Sequence, residues 1–157
     1  MGCVPARSLI DAMTKIDFYT NVSDKLHTAC RIIAKAYGLG HTMFVRCPDA
    51  QTAQGLDRML WVTPPTAFIP HCAPGHTLAS ITAVIVDHGT NDPVHDELLV
   101  NLSAEWPPYF GRFERLVEIV SVDPEDLRIA RDRYKFYRDR GYEIRTHDLG
   151  GAASRLP

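Results

Sequence analysis

The stretch IDFYTNVSDKLHTACRIIAKAYGLGHTMFVRC, residues 16–47, decides the fold. Its opening, Ile16-Asp17-Phe18-Tyr19-Thr20, reads as a strand, rich in the branched and aromatic side chains that suit a pleated surface. Ser23 stands where a helix N-cap is expected. Leu26, Cys30, Ile33 and Tyr37 then recur at steps of four, three and four, which is one face of a helix. Gly38 is the expected stop. Thr42-Met43-Phe44-Val45-Arg46-Cys47 follows as a second strand, and its nearly unbroken apolar run suits a strand covered on both faces. Strand, helix and strand in succession make a crossover unit, the building block of a parallel sheet.

The pattern continues outward from this unit. Asp49 opens a second helix with Ala53, Leu56 and Leu60 on one face, closed by Trp61. The next segment holds Pro64, Pro65, Pro70 and Pro74 and cannot be regular throughout, although Ala67-Phe68-Ile69 reads as a short strand. Residues 81–86 and 98–102 read as strands, separated by a polar loop from His88 to Asp96. A short helix from Pro107 or Pro108, carrying Phe110, Phe113 and Leu116, precedes a strand at Val117–Val122. The longest helix then runs from Pro124 to about Arg140, with Glu125 and Asp126 in its favourable first turn, and Gly141 ends it. Glu143–Thr146 reads as a last strand. The expectation is one α/β domain at 15–147, a largely parallel sheet with helices on both faces. An extension at 1–14 and a flexible tail at 148–157 flank it.

Composition bounds the function. With 157 residues the chain fits a single domain able to bury its own core. A net charge of −2 argues against a protein that coats nucleic acid. Cys3, Cys30, Cys47 and Cys72 match neither a disulfide framework nor a zinc spacing, and read as reduced thiols in a cytoplasmic protein. No apolar run reaches membrane-spanning length, so no membrane association is expected. Residues 1–8 lack the apolar core of a signal peptide, and Ala6 stands where a myristoylation signal needs Ser or Thr.

Catalytic and cofactor motifs are absent from the sequence. Gly38-Leu39-Gly40 lacks the third glycine of a dinucleotide loop and follows a helix instead of a strand. There is no phosphate-cradling loop and no nucleophile elbow. His71, Cys72 and His76, with His88 or His95, have zinc-type ligands at spacings that fit no standard site. Asp87-His88 and His95-Asp96-Glu97 read as solvated loop polarity. The expectation is therefore no enzyme, no cofactor and no metal.

The last long helix stands out. Residues 125–140 carry six basic and four acidic side chains, net +2 in a chain of net −2. At 3.6 residues per turn, Leu127, Ala130, Tyr134 and Tyr137 form a stripe expected to pack on the sheet. Arg128, Arg131, Lys135 and Arg138 form a second stripe beside it, free of acids, while Arg133 falls on the opposite face. Such a stripe is either a solvated helix face or a site for an acidic peptide with an apolar anchor, since arginine forks bond both oxygens of a carboxylate.

The run Ala130-Arg131-Asp132-Arg133-Tyr134-Lys135-Phe136-Tyr137-Arg138, followed by Gly141-Tyr142, resembles the C-terminal helix of the chi subunit family of bacterial DNA polymerase III holoenzyme. Leu56-Asp57, Leu60-Trp61, Pro64 and Phe68-Ile69-Pro70-His71 resemble an earlier stretch of that family, as do Asp17-Phe18-Tyr19 and Leu98–Ser103. The resemblance covers about residues 15–146. It implies a Rossmann-like fold without nucleotide chemistry and a role as accessory subunit of the clamp-loader complex. It implies two partners: the psi subunit, and the acidic, apolar-ended C-terminal tail of single-stranded DNA-binding protein. DNA would be contacted only indirectly. By matching positions, it implies a tail site of Arg131, Tyr134 and Lys135 with Phe68 as apolar wall, joined by Val120 or Val122 and flanked by Arg128 and Arg138. For psi it implies Trp61 and Pro64. The sequence departs from the family in a shorter turn over Ser121–Asp126, and Leu127 takes the place of a basic residue one turn before Arg131. A small Rossmann-like enzyme or nucleotide binder is the alternative, and would need a glycine loop at a strand end.

Overall fold

Seven strands lie side by side in the order β3-β4-β2-β5-β6-β1-β7, every neighbouring pair parallel. They are β1 (Lys15–Val22), β2 (Met43–Arg46), β3 (His71–Cys72), β4 (Val84–Asp87), β5 (Leu98–Asn101), β6 (Arg115–Ser121) and β7 (Ile144–Asp148). Three helices connect them: α1 (Lys25–Gly38) after β1, α2 (Ala50–Val62) after β2 and α3 (Pro124–Asp139) after β6. The computed structural model describes residues 13–62, 69–89 and 92–150.

Strand alternation sorts the core into two layers. Met43, Val45, Leu98, Val100, Val117 and Ile119 face α1 and α2, where they meet Cys30, Ile33, Ala53, Leu56 and Leu60. Phe44, Leu99, Leu116, Val120, Ile16 and Phe18 face the other way, toward Ala130 and Tyr137 of α3 and the buried rings of Phe110 and Phe113. A sheet covered on both faces needs apolar residues at consecutive positions, which is the unbroken pattern read at residues 42–47.

The sheet with helices on both faces is as expected, and all of its strand pairs are parallel. Local details differ. The N-cap of α1 is Asp24, not Ser23: its carboxylate accepts the N–H of His27 at 3.0 Å. Gly38 is the last residue of α1, and Gly40, at φ +87°, takes the left-handed position that ends it. The third strand is His71–Cys72; Ile69 is buried just before it, and Ala67 and Phe68 lie outside the described residues. Strand β4 begins at Val84 because Ala79–Ile81 form a 3₁₀ turn closed by the Thr82 hydroxyl on the Leu78 carbonyl. The helix expected from Pro107 is one 3₁₀ turn, Phe110–Arg112, and Leu116 belongs to β6. A single 3₁₀ turn is enough to bring Phe110 and Phe113, three residues apart, into the core.

At the ends, Thr14 is buried and its hydroxyl donates to the Phe113 carbonyl at 2.6 Å. Strand β7 pairs with β1 as far as Asp148, and Leu149 is buried, so the chain still belongs to the domain where the tail was expected to begin. Near that end β1 breaks register between Tyr19 and Val22, with Asn21 at φ +58°. Gly150 lies against it: a Cβ there would come within 2.7 Å of the Asn21 Cβ, so only glycine fits.

Candidate functional site

Helix α3 begins with its own carboxylates in place. Asp123 caps it by accepting the N–H of Asp126 at 3.0 Å. Asp126 in turn accepts the Ser121 N–H at 2.8 Å and approaches Lys25 Nζ at 3.4 Å. Burial pushes the Asp126 carboxyl up, but the Ser121 N–H and Lys25 outweigh it and hold it below the usual carboxylate range.

The sheet-facing side of α3 is Ala130, Arg133 and Tyr137. This corrects the expected stripe. The helix is turned so that Arg133 points inward, only 1% exposed, and Tyr134 sits at the border, 37% exposed, with its ring edge-on to Phe18 at 5.4 Å. Arg133 was expected on the opposite, outer face. Its partner is Glu118 on β6, 0% exposed, whose Oε1 accepts Arg133 Nε at 3.0 Å. Glu118 Oε2 accepts the Tyr137 hydroxyl at 2.6 Å, and Asn101 Nδ2 donates to both oxygens at 3.1 Å. Arg133 Nη1 donates to the Ala104 carbonyl at 2.8 Å. Burial pushes the Glu118 carboxyl up, against the pull of Arg133 and its hydrogen bonds; burial and Glu118 together push the Tyr137 hydroxyl up. The cluster is closed to solvent and fixes the helix on the sheet. It was readable in the sequence: a glutamate inside the apolar run Val117–Val122 demands a cation, and Arg133 lies three residues from Ala130 and four from Tyr137.

The outward side carries the basic stripe, and its four members are not equivalent. Arg128 is paired with Glu125 at 2.6 Å, and Arg138 reaches Asp139 at 3.3 Å. Arg128 holds the Glu125 carboxyl low, through their hydrogen bonds first and its charge second. Arg131 and Lys135, one turn apart, are exposed and have no acidic partner among the described residues. Tyr134 lies between them in sequence, half-exposed over Phe18. The arrangement offers two free cations beside an aromatic edge, which suits a carboxylate next to an apolar group.

The remaining site expectations fall as follows. Val120 is buried in the layer under α3 and offers no surface, whereas Val122 is 56% exposed but lines a separate depression with Val22, Ser23 and Thr28. Phe68 and Pro64 lie outside the described residues. Trp61 is 59% exposed at the end of α2, with Val62 exposed beside it and the His71 ring edge-on at 5.4 Å. His71 itself pairs with Asp57 at 2.8 Å, His76 accepts the Leu78 N–H and His95 meets the Thr82 carbonyl, so these side chains are drawn to separate partners.

In an open parallel sheet, ligands sit where neighbouring strands send their helices to opposite faces, at the carboxyl ends of the strands. Here that place is between β1 and β6, which lead into α1 and α3. One N–H at each helix start already meets a carboxylate, that of His27 on Asp24 and that of Asp126 on Asp123, and Asp126 bridges to Lys25. The crevice presents carboxylates where a nucleotide would bring its own negative charge. Among the described residues, no helix is long and apolar enough to cross a membrane.

Comparison with known proteins points in one direction. The family model described as DNA polymerase III chi subunit, HolC, matches residues 13–145. The DNA polymerase III subunit chi of Pseudomonas aeruginosa is 34% identical over 143 residues, covering 87% of this chain and 98% of its own length. The subunit chi of Haemophilus influenzae is 28% identical over 123 residues, covering 78% of this chain and 85% of its own. That of Escherichia coli is 27% identical over 139 residues, covering 88% and 92%.

Proposed function

This chain belongs to the DNA polymerase III chi subunit family, and from that premise we propose that it is a non-catalytic accessory subunit of the clamp-loader complex, working in the cytoplasm. It binds the acidic C-terminal tail of single-stranded DNA-binding protein through the outward face of α3 and so links the polymerase machinery to coated template. DNA is reached only through that partner.

The observation that carries this reading is the pair Arg131 and Lys135: two exposed cations one turn apart with no acidic partner among the described residues, while Arg128 and Arg138 on the same stripe are paired with Glu125 and Asp139, and set beside the half-exposed Tyr134. An acidic tail supplies the missing charge, and its apolar end has the exposed part of the Tyr134 ring to cover. Arg128 and Arg138 contribute less, being shared with Glu125 and Asp139. Trp61 and Val62 form a second exposed apolar surface, on the far layer of the sheet, which we assign to the psi subunit, with Pro64 following in the chain. The enzyme alternative gains no support from a crevice whose two helix starts are capped by the chain's own carboxylates.

A pull-down with the purified chain from bacterial lysate tests the proposal. Single-stranded DNA-binding protein is recovered, and is lost when its C-terminal tail is removed. Recovery that does not depend on the tail would overturn the assignment.

A further inference from the structure

On the α1 side of the sheet, α1 stops short of β1 and β7 and leaves a cleft of about 340 Å³ between them. None of its residues was expected to form a site from the sequence, and none belongs to the surfaces assigned above. Its floor is apolar: Ile32 and Ala36 of α1, Leu98 of β5 and Val117 of β6. Its wall is a fixed polar cluster. Asp17, buried, is held by Arg115 Nη2 at 2.8 Å and by His147 Nε2 at 3.0 Å, and the Tyr19 ring stacks on His147 at 4.6 Å.

Charge in the cleft is lopsided. The one lining carboxylate, Asp17, is already committed, while the other nitrogens of Arg115 meet no partner among the described residues. Lys35 is exposed at the rim with no acidic partner among the described residues, and Arg145 meets only the exposed Glu143, at 3.3 Å. An apolar floor of this size with a few convergent polar groups is the ordinary form of a small-ligand site. The stacked rings, held by the Asp17 bonds, give it a rigid flat wall without further ordering. Burial, with Asp17 second, pushes the Tyr19 hydroxyl up, in keeping with a partly enclosed wall.

We propose that this cleft binds a small organic anion: a flat apolar body against Val117, Leu98 and the Tyr19–His147 wall, with a phosphate or carboxylate between Lys35, Arg115 and Arg145. The site is independent of the tail site, since it lies on the opposite layer of the sheet from α3.

The test is a titration followed by two-dimensional NMR on the labelled full chain, with phenyl phosphate, phenylacetate and benzyl alcohol as probes. The two anions separate phosphate from carboxylate as the charged group, and the alcohol removes the charge. The expected result is binding on the order of 1 mM by at least one anion, with shifts at Tyr19, Val117 and His147. Benzyl alcohol should bind at least fivefold more weakly. Lys35→Glu and Arg145→Ala, both at exposed side chains, should each weaken the anion at least threefold and leave tail-peptide binding unchanged. Equal binding of anion and alcohol, shifts centred elsewhere, affinities unmoved by both variants, or displacement of the probe by the acidic tail peptide would each overturn the proposal.

Discussion

Arg131 and Arg133 stand two residues apart on α3 and belong to different parts of the molecule. Arg133 is sealed against β6, its guanidinium shared between Glu118 and the Ala104 carbonyl. Arg131 stands in water with no acidic partner among the described residues. The same side chain therefore holds the helix down in one place and waits for a ligand in the other. Charge count on a helix says little by itself; which side of the helix is dry decides what a charge is for.

That division predicts how substitutions on α3 separate. Arg133→Ala leaves Glu118 buried without its cation and should cost about 3–5 kcal/mol in urea unfolding, since breaking one side of a buried pair strands the other. Replacing both partners together, Glu118→Leu with Arg133→Met, should recover most of that loss, because the desolvation of both charges disappears. If Arg133→Ala were as stable as wild type, the contrast between the two arginines would collapse.

Tyr137→Phe probes the same cluster more gently. It removes the 2.6 Å hydrogen bond to Glu118 Oε2 while keeping the ring between Phe18 and Phe110. A loss of about 1.5–3 kcal/mol is expected for a bond to a charged group, with no effect on tail binding.

Asp126 sits at the junction of the helix with β6. Because its folded carboxyl titrates below the usual range, the stability it adds is present above about pH 4, the ordinary value for an unfolded aspartate, and is lost as pH falls through the folded value. Asp126→Asn should therefore be less stable than wild type at pH 7, by about 1 kcal/mol, with the gap closing in acid. A gap that stays constant down to pH 2 would show that shape, not charge, matters at this position. Smallest of all is Arg128→Ala. Its pair with Glu125 is exposed on both sides, and the variant's urea midpoint should match that of wild type.

How far the sequence carried the structure follows from the same contrast. The sheet was legible because a doubly covered parallel strand prints as an unbroken apolar run, and residues 42–47 and 98–102 do so. The helices α1 and α2 were legible because their apolar faces are uninterrupted. Helix α3 was found, but its inward face was set by the aromatic pair Tyr134 and Tyr137 when the true centre is Ala130, Arg133 and Tyr137. Helix spacing alone puts Arg133 on the face opposite the basic stripe; what draws it inward is a partner on another element, fifteen residues earlier. The turn before β6 was read as a helix because spacing by three suits one 3₁₀ turn as well as the start of an α-helix. Arg131, Tyr134 and Lys135 were singled out by family resemblance and stand exposed together on one helix. The cleft between α1 and β7 had no local signal at all, since its lining comes from five separate elements and the turn after α1.

The central claim is that the two free cations on α3 are there for an acidic peptide. The direct measurement is a fluorescence titration of a labelled C-terminal tail peptide of single-stranded DNA-binding protein against wild type, Arg131→Ala and Arg58→Ala, the last an exposed basic residue on α2. Arg131→Ala should lose roughly 2 kcal/mol, on the order of thirtyfold in affinity, without loss of stability. Arg58→Ala should match wild type, and rising salt should weaken wild type more than Arg131→Ala. Equal affinity for all three chains would contradict the account.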